Sequence, residues 1–147
     1  MDAHIALSHA EIVQDLLHIH KDRIRMYTRA LQNEKEPELD VRSIVERIIE
    51  ESIKCQQQLN GMIRDEETND DGKVYKAWAD GKTKQIFSYA GRKAILEACL
   101  DDDLAVLNAY SMALSFAHDK NIKELLLAQQ QRLQQLHAHI RKYYNAQ

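Results

Sequence analysis

The chain has 147 residues, of which 44% are hydrophobic and 29% charged, enough apolar mass for one domain with its own core. A formal net charge of −3 leaves no surplus of Lys and Arg to neutralise phosphates, which argues against nucleic acid as the main ligand. No apolar run of about 18 residues occurs, and the first residues lack a basic start followed by an apolar stretch, so no membrane span or secretory signal is expected and the protein reads as cytoplasmic.

One proline and four glycines among many Leu, Ile, Gln, Lys and Glu predict a chain that is nearly all helix. The first helix is expected over about 8–33, on the seam Val13, Leu17, Ile24, Tyr27 and Leu31. Pro37 ends it, and Asp40 is placed to cap the next start. The second spans about 40–64 on Val41, Val45, Ile48, Cys55, Leu59 and Met62. The third covers about 92–118 on Leu96, Cys99, Val106, Tyr110 and Leu114, and the fourth about 121–144 on Ile122, Leu126, Leu133, Leu136, Ile140 and Tyr143.

Short turns join the first two helices and the last two into antiparallel hairpins. Residues 65–91 between the hairpins form a much longer connection, acidic at first and then carrying Tyr75, Trp78, Ile86, Phe87 and Tyr89. A long crossover between two hairpins is the topology of ferritin-like four-helix bundles. A plain four-helix bundle with a floppy insertion is the alternative. The expectation is one all-α, ferritin-like domain over 1–147.

Each seam has a polar interruption: His20, Ser52, Asp103 and Gln129. Of the three aspartates 101–103, two can face water and the third, Asp103, points inward. Buried polar groups must be paired, so these four residues are expected to form a polar core layer, with Asp103 accepting from His20, Gln129, Tyr27 or Tyr110. A His20–Asp103 pair would hold the imidazole partly charged.

A ferritin-like di-iron site needs a Glu from each of two helices and Glu-x-x-His from each of the other two. No Glu-x-x-His occurs in this chain. Only His20 and Asp103 keep ligand character, with Glu50 or Glu51 as a neighbour, so the cofactor expectation is none, with a single metal ion as the alternative. His18 with His20, and His137 with His139, lie two residues apart, about 200° round a helix, and cannot chelate as pairs. Cys55 and Cys99 form no CxxC pair and read as buried reduced thiols. Trp78 and Phe87 are candidates to line a ligand cleft or to plug the side of the bundle.

The run "AILEACLDDDLAVLNAYSMAL", residues 94–114, resembles the third helix of a bacterial ferritin-like family of unknown function. Ile95, Leu96, Cys99, Tyr110, Ala113 and Leu114 match its pattern, with Asp102 where the family has Gly and Asp103 where it has Glu. Trp78 and the first helix are similar as well. The resemblance implies a ferritin-like bundle that self-associates as a homodimer or larger homo-oligomer. It does not imply iron storage or ferroxidase activity. Function is therefore expected to be that of a non-enzymatic, stress-associated structural or interaction protein with a protein partner. The alternatives are a metal-binding or oxidoreductase protein with a reduced site at His20 and Asp103, and a small-ligand binder walled by Trp78.

Overall fold

A computed structural model of the protein describes residues 8–33, 39–62, 72–81 and 91–146. Among these residues the chain is all-α, with five helices: α1 (His9–Asn33), α2 (Leu39–Asn60), α3 (Lys73–Gly81), α4 (Arg92–Phe116) and α5 (Lys120–Asn145). No described helix is long and apolar enough to cross a membrane.

Side-chain bonds between the helices give their directions. His9 at the start of α1 donates to the Met62 carbonyl just past α2, while Arg23, further along α1, meets Ser52, further back in α2. Those two helices are therefore antiparallel. The pairs His20–Tyr110 and Arg23–Asp103 make α1 antiparallel to α4, and Ser111–Gln130 with Asp103–His137 do the same for α4 and α5. It follows that α2 and α4 point the same way. In chain order α3 lies between them.

The sequence places no helix within 65–91, whereas residues 73–81 are helical. Nine residues are too few to hold a helix in water unaided, so α3 depends on docking. Val74 and Trp78, at i and i+4, are both fully buried and pack α3 against α1 and α4. Asp40, expected as the cap of α2, lies inside its first turn; one carboxylate oxygen takes the Val41 N–H and the other pairs with Arg92 at 2.5 Å. Asp119 caps α5 by accepting from Ile122 N. Phe87, Pro37 and the end expected for the second helix at 63–64 lie outside the described residues.

The apolar core falls into two clusters. One gathers Ile12, Leu16, Ile19, Leu59, Val74, Trp78, Ala105, Ala109 and Leu126; the other gathers Tyr27, Val45, Ile48, Leu96, Cys99, Leu136 and Ile140. The four long helices contribute the buried polar residues His20, Arg23, Ser52, Asp102, Asp103 and Gln129, of which His20, Arg23, Ser52, Asp102 and Asp103 lie between the two clusters along their helices.

Candidate functional site: a buried arginine–dicarboxylate network

Helical spacing delivers the polar layer. On α1 the buried arc runs Ile12, Leu16, Ile19, His20, Arg23, Tyr27 and Ala30. Leu17, Ile24 and Leu31, which the sequence puts on the seam, are half-buried. The inward face is thus turned by part of a residue step from the expected one, and Arg23 lies at its centre. Its position is legible in the spacing, three after His20 and four before Tyr27, but a charged residue in "KDRIR" reads as solvated.

On α4 the expectation for Asp102 is overturned. Asp101 faces water, whereas Asp102 is fully buried and Asp103 nearly so, at 0% and 4% exposure. Neighbouring helical residues are about 100° apart, so both carboxylates can flank one group that approaches between them. Asp102 shares the buried stripe Ala98, Asp102, Ala105, Ala109, which four helices alone would leave to solvent. The docked α3 covers this region, and its Trp78 Nε1 donates to Asp102 Oδ1 at 2.7 Å.

Arg23 is the group between the carboxylates. Its Nε donates to Asp102 Oδ2 and its Nη2 to Asp103 Oδ1, each at 2.9 Å, while Nη1 donates to Ser52 Oγ at 3.1 Å. Tyr27 adds its hydroxyl to Asp102 Oδ2 at 2.6 Å. Asp102 is therefore held by three donors from α1 and α3. Burial opposes the guanidinium charge, but the Asp102 and Asp103 carboxylates outweigh it and Arg23 is held more firmly protonated than usual. Burial pushes the Asp103 carboxyl up from the usual range, against the pull of His137 and Arg23. Asp103 Oδ2 faces His137 Nδ1 at 3.6 Å, beyond hydrogen-bond reach, and neither atom has a hydrogen-bond partner.

A second chain of bonds runs outward from the layer. Gln129 Nε2 donates to the Cys55 carbonyl and to Gln58, so its Oε1 is free to accept from Tyr110 at 2.7 Å. With its proton committed to Gln129, the Tyr110 hydroxyl accepts from His20 Nε2, also at 2.7 Å. His20 is then the Nε2–H tautomer, and its Nδ1 has no partner. Burial, reinforced by the Arg23 charge, lowers the His20 pKa to about 3. The imidazole is neutral, not partly charged as a bond to Asp103 would make it. At the outer end Arg132 ties Glu51 to Gln58.

All four residues of the expected polar layer are buried, yet none bonds directly to another; Gln129 and His20 are linked through the shared Tyr110 hydroxyl. Arg23 joins Ser52 to Asp103. For a metal the arrangement is poor. His20 Nε2 is taken by Tyr110, Glu50 is exposed and Glu51 is paired with Arg132. Among the described residues no group of three His, Cys, Asp or Glu side chains is placed to hold an ion. Cys55 and Cys99 are buried free thiols whose pKa values burial raises, which suppresses thiolate chemistry. Trp78 is wholly enclosed and lines no open cleft.

Two outcomes follow from this geometry. Replacing Arg23 by Met leaves two carboxylates without their cation, and equilibrium denaturation should show a loss of about 3–5 kcal/mol. His20 takes a proton near pH 6.5 when unfolded but only near pH 3 when folded, so the unfolded chain binds more protons in that interval. Stability should fall as pH drops through that window, by up to about 1.4 kcal/mol per unit from this residue. Asp103, with its raised folded pKa, acts in the opposite sense by favouring the folded state as it protonates. Urea titrations of His20→Gln at several pH values should give a flatter profile than those of the parent. No protein-family model, curated protein or solved structure matches the chain.

Proposed function

We propose that the protein is a ferritin-like helical bundle in which an arginine has the place of a metal, and that it is a non-enzymatic structural or interaction protein acting as a homo-oligomer or with a protein partner. The carrying observation is Arg23, lying between Asp102 and Asp103 with a bond to each. A guanidinium there supplies the positive charge that paired carboxylates in a bundle core otherwise obtain from a cation, and its planar fork suits two carboxylates at once. The common direction of α2 and α4 supports the ferritin-like reading, because that direction needs a crossover.

The metal-binding or oxidoreductase alternative, with a reduced site around His20 and Asp103, is favoured by three buried unpartnered atoms, His20 Nδ1, Asp103 Oδ2 and His137 Nδ1, the last two facing each other. Against it, His20 is turned to Tyr110, and the nearest cation to Asp103 is already the guanidinium.

Elemental analysis after incubation with ferrous iron, zinc or manganese and desalting separates the two readings. The arginine-centred bundle should retain no stoichiometric metal, and its melting temperature should ignore chelators, with light scattering reporting more than one chain per particle. Stoichiometric metal that vanishes in Asp103→Asn would establish the alternative.

A further inference from the structure

The short helix α3 is fastened differently from the rest of the molecule. Its first turn is capped from another helix: Asp15 of α1, itself 5% exposed, accepts from the N–H groups of Gly72, Val74 and Tyr75 at 3.0, 3.2 and 3.3 Å. A carboxylate there also meets the positive end of the helix dipole. Gly72 is required by this contact, because a Cβ at that position would overlap the Asp15 carboxylate. One turn further along α1, His18 stacks on the Tyr75 ring at 4.1 Å between centroids, and about two turns beyond Asp15, Asp22 accepts from the Tyr75 hydroxyl. The far side of α3 is held by Trp78, which donates to Asp102 within the Arg23 network.

Three aspartates on α1 and α4 thus hold a helix of nine residues that cannot stay helical alone. Helix formation in α3 and its docking are then a single event. Undocking uncovers the apolar strip that Val74 and Trp78 share with Ile12, Leu16, Ala105 and Ala109, and removes the Trp78 donor from Asp102.

We propose that α3 is a latch that opens as one cooperative unit while α1, α2, α4 and α5 stay folded, with Asp15 as its catch. Opening exposes the strip between α1 and α4 and couples it to the buried charge network through Asp102. The four long helices retain their mutual bonds in the open form, since neither the Arg23–Asp103–Ser52 contacts nor the Tyr110–Gln129 chain passes through α3.

Hydrogen exchange by mass spectrometry on the full chain, with Trp78 emission read in parallel across low urea concentrations, tests the latch. The amides of α3 should exchange together, about ten- to a hundredfold faster than those of α4 and α5. Trp78, the only tryptophan, should become quencher-accessible before the global transition. Asp15→Asn removes charge-assisted bonds and should speed α3 exchange by a further ten- to a hundredfold or so while the α4 and α5 amides keep their rates. Gly72→Ala attacks the same contact from the other side and should act alike. Exchange of α3 only through global unfolding in the parent protein would overturn the latch. So would Asp15→Asn and Gly72→Ala variants in which every helix accelerates equally.

Discussion

Two carboxylates on adjacent residues of a buried helix repel each other and lose their water, a combination that destabilises a fold unless a cation lies between them. Arg23 is that cation, and the packing of the other helices follows from where it must sit. Its three bonded nitrogens reach α2 and both aspartates of α4, which sets the depth and rotation of α1 against each partner. Trp78 of α3 then completes the donor set of Asp102, so the short helix serves the same centre. A layer of this kind adds little net stability compared with a well-packed apolar layer.

The layer also separates two kinds of chemistry in one interior. Around Arg23 the groups are charged and the sum of one guanidinium and two carboxylates is one negative charge, with Asp103 Oδ2 and His137 Nδ1 facing each other at its edge. Around Tyr110 the groups are neutral, and each proton has a single consistent place from Gln58 inward to His20. Keeping His20 neutral beside a fixed positive charge keeps the second chain intact.

The helices were legible in the sequence because a 3.6-residue period survives even where a polar residue interrupts it, and the same spacing puts His20, Ser52, Asp103 and Gln129 on buried arcs. What the spacing could not reveal is which group stands between them. Arg23 fits the inward arc of α1, but a lone charged residue is on prior grounds a surface residue, and only the matching carboxylates of another helix reverse that reading. Asp102 was hidden for a related reason. Its burial depends on α3, and nine residues with three apolar or aromatic anchors give too short a periodic signal to mark a helix in a long connection. Missing that helix turns a buried stripe of α4 into an apparent solvent face.

The most direct test is a double-mutant cycle by urea denaturation at neutral pH, pairing Arg23→Met with Asp102→Asn. If Arg23 is in the core to compensate the carboxylates, removing the Asp102 charge should relieve part of the damage done by losing the guanidinium. The double variant should then be more stable than the sum of the single losses allows, by about 1–3 kcal/mol. Additive losses, within about 0.5 kcal/mol, would mean that the two groups do not depend on each other and would contradict the account.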